Sequence, residues 1–298
     1  MSNRAERREA IEGYIGISPW LIGFIVFTAG PMLASLYLSF TDWRMTSMPN
    51  WTGLANYIRI FTDDRDFYRS LSVTFSYVAM ALPLQLILGL ALSLLLNQSV
   101  FGIRIFRTVF YIPAVLSGVS VALVWMWLLN PDFGIVNTLL GYIGIEGPGW
   151  FWDPDWALPS IVVMGLWRVG GGAIIYLAGL QNISPHLYEA AEIDGAGLWS
   201  RFRHITVPML TPTLFFQLVM ELIEAFQVFT AVYVTTSGGP MSATLFYMFY
   251  MFRTAFVDFD MAYASALAWI MGFLILLFTA LVFKSSPLWV FYDSEVRS

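Results

Sequence analysis

The sequence contains no cysteine and a single lysine, Lys284. The first absence removes disulfides, thiolate metal sites and cysteine nucleophiles, and leaves the redox compartment open. The second excludes a phosphate-binding P-loop. In Val282-Phe283-Lys284-Ser285, Phe283 stands where GxxxxGK[ST] needs its last glycine, so any ATP drive must come from another chain. Histidine is nearly absent too. His186 and His204 are the only two, and no H-E-x-x-H exists to hold a zinc protease centre. No Ser–His or Cys–His arrangement can be placed inside an apolar run. We therefore expect no catalytic residues and no metal site in this chain. Charge is scarce as well, at 12% of residues with a formal net charge of −5. Nothing in it points to nucleic acid. Internal repeats, low-complexity tracts and any long polar stretch are missing.

What remains is 58% hydrophobic residues over 298 positions, gathered into long runs. A helix crosses the hydrocarbon core in roughly 20 residues. Six runs are long enough, at about 14–40, 71–96, 106–129, 157–180, 209–234 and 262–283. The expected fold class is all-α, a polytopic membrane protein with six transmembrane helices, residues 1–298 forming one transmembrane domain. The first run is too long for a signal peptide and has no small-residue cleavage pattern. It is read as a span, bent near Gly30-Pro31. Trp150, Trp152 and Trp156 suit an interfacial belt. The stretch 245–256 is apolar enough to lie in the interface or to pack on the spans.

Orientation follows from basic residues. The N-terminus, the 97–107 turn, the 181–208 loop and the C-terminal tail hold Arg4, Arg7, Arg8, Arg104, Arg107, Arg201, Arg203, Lys284 and Arg297; the other loops hold Arg44, Arg59, Arg65, Arg69 and Arg253. The positive-inside bias places both termini and the 181–208 loop in the cytoplasm of a cell-membrane protein.

Three ionisable residues fall inside spans: Arg168, Glu221 and Glu224. Each is costly if it faces lipid, so each faces protein or water. At about 100° per residue, Gln217, Glu221 and Glu224 share one helix face, with Gln227 at its edge. An apolar helix with one polar stripe reads as lining a cavity; a buried pair between Arg168 and a glutamate is the structural alternative. Pro83, Pro113, Gly118 and Gly170-Gly171-Gly172 are expected to interrupt helices at similar depth, where irregular backbone is tolerated against a cavity or within protein.

The polar stretch Ser184–Pro208 reads as an elbow between two spans. Ser184 is a good N-cap and Pro185 suits the first helical turn. Gly195 stands where a left-handed residue ends a helix cheaply. A second short helix follows, with Trp199, Phe202, Ile205 and Thr206 on one face and Ser200, Arg201, Arg203 and His204 facing elsewhere. Pro208 then opens the next apolar run.

The spacing Glu189-Ala190-Ala191, three residues, Gly195, nine residues, Ile205, one residue, Val207-Pro208 resembles the EAA motif of ATP-binding-cassette importer permeases, with Val207 in place of the usual Leu. Trp51-Thr52-Gly53-Leu54-Ala55-Asn56-Tyr57 is similar to the "GL-NY" segment of carbohydrate importer permeases. Phe106-Arg107 through Pro113, Trp125 through Asn137, and Leu177 through Gln181 are similar to further stretches of that family. So is Thr235-Thr236-Ser237-Gly238-Gly239-Pro240 with Thr244. The resemblance implies the type I importer permease fold and a role as one half of a heterodimeric translocation pathway. The implied solute is a sugar, a di- or oligosaccharide; a polyol, glycerol phosphate or peptide is the first alternative, and a proton-coupled secondary transporter the second. Implied partners are a second permease subunit, two ATPase subunits that bind ATP and Mg, an extracytoplasmic solute-binding protein and membrane lipid. This chain itself holds no cofactor. For ATPase coupling the motif points to Glu189, Ala190, Ala191, Asp194, Gly195, Ile205 and Pro208. For the solute, the cavity reading points to Gln217, Glu221, Glu224, Gln227, Phe229 and Arg168, whose amides, charges and aromatic ring suit hydroxyls and the apolar face of a sugar.

Overall fold

A computed structural model of the chain describes residues 2–45 and 48–291, with side chains from Arg7 onward. Arg297 and the side chain of Arg4, both used above for orientation, lie outside the described residues. The described residues are helical, with no strand beyond one antiparallel bridge between Thr41 and Trp51. In chain order the helices are α1 (Ser2–Phe24), α2 (Gly30–Leu38), α3 (Ala55–Thr62), α4 (Arg65–Leu96), α5 (Ile103–Val115), α6 (Gly118–Leu128), α7 (Ile135–Tyr142) and α8 (Ala157–Leu166). They continue with α9 (Gly170–Gln181), α10 (Pro185–Ile193), α11 (Leu198–Arg201), α12 (Val207–Phe226), α13 (Thr230–Thr235), α14 (Tyr247–Phe256) and α15 (Met261–Ser285).

Four stretches are long and apolar enough to cross a membrane: Arg7–Leu38, Arg65–Leu96, Leu198–Thr235 and Met261–Leu288. Two bent pairs bring the number to six, with α5 and α6 turned by 100° and α8 and α9 by 43°. The six runs read from the sequence fall on these six. The run 106–129 is broken just before Gly118, one of its two expected interruptions, while the other, Pro113, lies inside α5. Leu116 and Ser117 adopt extended conformations and turn the chain sharply. Pro83, expected to interrupt a helix, sits inside the unbroken α4.

Two prolines leave the same mark. Pro31 and Pro208 each follow a single π-turn, at Ile25–Ala29 and Phe202–Thr206. Proline lacks an N–H and its ring crowds the carbonyl four residues back. The ladder shifts by one residue instead: Gly30 donates to the Ile25 carbonyl and Val207 to that of Phe202. The elbow's second helix therefore runs through Pro208 into α12, where the sequence reading ended it.

The chain divides into two compact units, residues 1–64 with 251–272, and residues 65–250 with 273–298. In the first unit, the Gly53–Tyr57 segment closes the end of α2. Asn56 Nδ2 donates to the carbonyls of Ser39 (2.9 Å) and Thr41 (2.7 Å), and the Tyr57 hydroxyl meets Ser39 Oγ at 2.8 Å. The Ser39 carbonyl is the C-cap acceptor of α2, so the motif caps that helix and ties down the Thr41 bridge just beyond it. Asp260 opens α15, accepting the Tyr263 N–H at 3.3 Å, and pairs with Arg59 at 3.3 Å. The Arg59 guanidinium lies 4.2 Å over the Tyr263 ring.

The second unit is organised on α4, which packs against α8, α9 and α12. Phe75, Phe226 and Phe278 meet edge-on or stacked, with ring centres 5.4–5.6 Å apart. The apolar stretch beginning at Leu245 packs on the spans: Leu245, Phe246 and Tyr247 are buried, and the Tyr247 N–H donates to Thr74 Oγ1 at 2.9 Å.

Candidate functional site

A cavity of about 810 Å³ lies within the second unit. Its walls come from α4 (Tyr77, Gln85), the α5–α6 bend (Tyr111, Ala114, Gly118), the α8–α9 joint (Arg168, Val169, Gly171, Gly172) and α12 with the turn after it. All six residues singled out for the solute line it: Arg168, Gln217, Glu221, Glu224, Gln227 and Phe229. The polar stripe on α12 faces the cavity, as helical periodicity requires of residues at i, i+4 and i+7. Gln217 is only 3% exposed. The alternative of a buried lock does not appear. Among the described residues no carboxylate lies within 4 Å of Arg168, which donates Nη2 to the Ala114 carbonyl at 3.3 Å.

The run expected at 209–234 is interrupted inside the site. α12 ends at Phe226, Gln227 to Phe229 turn along the cavity wall, and α13 resumes at Thr230. Nothing in the local sequence marks this break, because Gln, Val and Phe are all tolerated in helices. Sequence reasoning also missed Tyr77, Gln85 and Tyr111 as wall residues. Among the described residues no group of three or more His, Asp or Glu side chains could hold a metal.

The three consecutive glycines bring neighbouring elements together. Successive helical residues point about 100° apart. A Cβ on Gly170 would collide with the Phe110 carbonyl, one on Gly171 would meet Ala114 Cβ at 3.2 Å, and one on Gly172 would meet Gln217 Nε2 at 2.5 Å. α9 is thus crowded from several sides at the level of the cavity, and at Gly170, set against backbone, only hydrogen fits.

The elbow hangs from the same helices. Leu180, Ile183 and Leu210 form a buried root, packed by Leu90, Leu94, Tyr188, Ile205 and Met209. Ser184 occupies the N-cap of α10 without a side-chain bond, and Pro185 is its first residue. Asp194 ends the helix and Gly195 follows at φ +77°. The Gly195 N–H reaches the Glu192 carbonyl (3.0 Å) and the Ala196 N–H that of Ala191 (2.8 Å). That pair of bonds is a Schellman motif, which requires the left-handed residue that glycine supplies without strain. Arg201 bridges back to Glu192 at 3.2 Å, and Tyr188 meets Thr206 at 3.0 Å. Arg201 turns inward to Glu192, and Trp199, on the face it shares with Phe202, Ile205 and Thr206, is 69% exposed. Glu189, Ala190, Asp194 and Gly195 are exposed, while Ala191 is half-buried. Ile205 belongs to the root, and Pro208 lies in the first turn of α12. Leu187, Ile193 and Leu198 add apolar surface, Ile193 at 87% exposure.

The glycine-rich turn after α13 is tightly built. Thr244 Oγ1 donates to the Gly239 carbonyl at 2.5 Å and lies 2.6 Å from Thr236 Oγ1; Arg69 Nε holds the Ser242 carbonyl at 3.2 Å.

Comparison with known proteins agrees with this geometry. A profile of the family described as "Binding-protein-dependent transport system inner membrane component" matches residues 60–285. The chain is 43% identical to the "Probable ABC transporter permease protein YesP" of Bacillus subtilis (strain 168), over 98% of this chain and 96% of that one. It is 35% identical to the "Trehalose/maltose transport system permease protein MalF" of Thermococcus litoralis, over 82% and 83% of the two chains. Its fold superposes with a TM-score of 0.83, at 24% identity and over 96% of this chain and 99% of the other, on a chain of a bacterial ABC transporter involved in import of the acidic polysaccharide alginate. Four to six candidate membrane spans among the described residues, an elbow rooted in them and relatives of matching length place this protein, a transport component and not an enzyme, in the family of binding-protein-dependent transport system inner membrane components.

Proposed function

We propose that the chain forms half of the pathway of an ATP-driven importer for a di- or oligosaccharide. The observation that carries this reading is the continuity of α11, its π-turn and α12, which joins the elbow directly to the polar wall of the cavity. Gln217, Glu221, Glu224 and Gln227 contact solute hydroxyls, and Phe229 offers a ring face. The sugar named for the Thermococcus relative supports this class of solute. The partner chains are a second permease, two ATPases that bind ATP and Mg, and an extracytoplasmic solute-binding protein; a fold neighbour crystallised with a loaded periplasmic protein supports the last. Both termini and the elbow lie on the cytoplasmic side.

The ATPase docks on α10. Glu189, Ala190, Ala191 and Asp194 form its contact surface, Gly195 fixes the exit of that helix, and Ile205 and Pro208 root it in α12. Exposed Leu187, Ile193 and Leu198 beside small Ala190 suit close approach of a groove. The test is purification of the chain from its native membrane in mild detergent, as found and as Gly195→Pro. Proline cannot adopt φ +77° and loses the N–H that holds Glu192. We expect an ATPase and a second permease to accompany the unmodified chain, and the ATPase alone to be lost from the variant. A chain that purifies by itself and moves solute in liposomes without ATP would overturn the reading.

A further inference from the structure

The two bent spans are bent at one place. α5 stops at Val115 because Leu116 and Ser117 are extended. The last four carbonyls of a helix have no partner within it. At membrane depth such groups must be satisfied by protein or by water in a cavity. What reaches this end is the α8–α9 joint. Arg168 gives Nη2 to the Ala114 carbonyl at 3.3 Å, Gly170 lets the backbone rest on the Phe110 carbonyl, and Gly171 rests on Ala114 Cβ. A guanidinium there also meets the negative end of the α5 dipole. No carboxylate within 4 Å neutralises it among the described residues.

We propose that Arg168 is a positioning residue: it caps the broken end of α5 and so holds the α5–α6 bend that forms the Tyr111–Ala114–Gly118 wall of the cavity, and it is not the contact for an anionic solute. The purpose of that wall rests on the permease reading; the cap is read from the joint itself.

The absence of cysteine supplies the test, since Ser117→Cys, at the exposed bend, introduces the chain's sole thiol. The chain is isolated with the subunits that accompany it and placed in lipid nanodiscs. Labelling of its own band by a hydrophilic maleimide is timed with Arg168 intact, Arg168→Met and Arg168→Gln. Methionine keeps an unbranched apolar stem and removes every donor, whereas glutamine, of the same length, keeps an N–H without charge. Losing a charged donor to a helix end raises labelling about tenfold in Arg168→Met, and Arg168→Gln, with a neutral donor of shorter reach, lies between that rate and the unmodified one, at about threefold. Glucuronate, the anionic probe, slows labelling no more than glucose does. Equal rates in all three chains would overturn the cap. So would protection by glucuronate that is present with Arg168 and gone in Arg168→Gln. If Arg168→Met is not recovered folded, Arg168→Gln and the two sugars decide alone. Absence of an ATPase from the preparation counts against the permease coupling and leaves the labelling comparison intact.

Discussion

Replacing the three glycines of α9 one at a time by alanine separates packing from function at a single turn. Gly170→Ala places Cβ against the Phe110 carbonyl. That atom belongs to backbone, so relief requires α5 and α9 to part. Overpacking of this kind costs about 3 kcal/mol at its upper end. Alanine for glycine inside a helix returns up to about 1 kcal/mol. The net loss is about 2 kcal/mol, a drop in Tm on the order of 5 °C for a chain of this size. Gly171→Ala meets Ala114 Cβ at 3.2 Å, where a shift of a few tenths of an ångström suffices, so the two effects nearly cancel. Gly172→Ala meets Gln217 Nε2, the far end of a side chain that can turn away. It leaves stability unchanged or slightly raised and yet displaces an amide from the cavity wall. The assay is thermal unfolding in mild detergent followed by size exclusion, with Gly13→Ala as control because nothing lies within 4 Å of that position. A Gly170→Ala chain as stable as the control would refute the packing argument, as would equal losses at all three positions.

Other positions give smaller, local outcomes. Asn137 Nδ2 donates to the Pro131 and Pro148 carbonyls and its Oδ1 accepts from Trp150 Nε1 at 2.6 Å; Asn137→Ala therefore loosens the 130–152 loop by about 2 kcal/mol, read as faster proteolysis there and a change in tryptophan fluorescence. Asp42 accepts from the Asn50 backbone N–H at 2.9 Å and from its side chain, which lowers its pKa below the ordinary 3.8. A depressed carboxylate pKa adds stability above the unfolded pKa and loses it as pH falls through the folded one. Amide exchange across residues 48–52 should therefore stay slow above pH 4 and quicken below it, and Asn50→Ala should move that onset upward. Glu192→Gln removes a bridge whose acidic side is 72% exposed, so the elbow loses less than about 1 kcal/mol of local stability by hydrogen exchange.

The crossings were legible in the sequence because each is a run of apolar residues long enough to span, and length and composition need no tertiary information. The stripe on α12 was legible for a related reason: Gln217, Glu221 and Glu224 recur at helical period in an otherwise apolar segment, and only a cavity or a buried pair accommodates that. The elbow's turn was legible from Gly195 alone, since a left-handed C-terminal residue has few chemical solutions.

What stayed hidden depends on contacts between segments distant in sequence. Pro113 and Gly118 announced an interruption, but neither the 100° turn at Leu116 and Ser117 nor the contacts that Arg168 and Gly170 make with α5 from more than fifty residues away. Gly170-Gly171-Gly172 announced an interruption but not its purpose, because a glycine's meaning lies in what occupies the space its side chain would have filled. Trp199 shares a face with Phe202, Ile205 and Thr206 by periodicity and is exposed all the same, while Arg201, on another face, is turned in to Glu192. Helical period says which residues share a face and is silent on whether that face is covered. On α12 the cost of burying charge in lipid resolved that ambiguity; on the short α11, whose polar residues can meet water or partners on any side, the pattern alone leaves the covered side open.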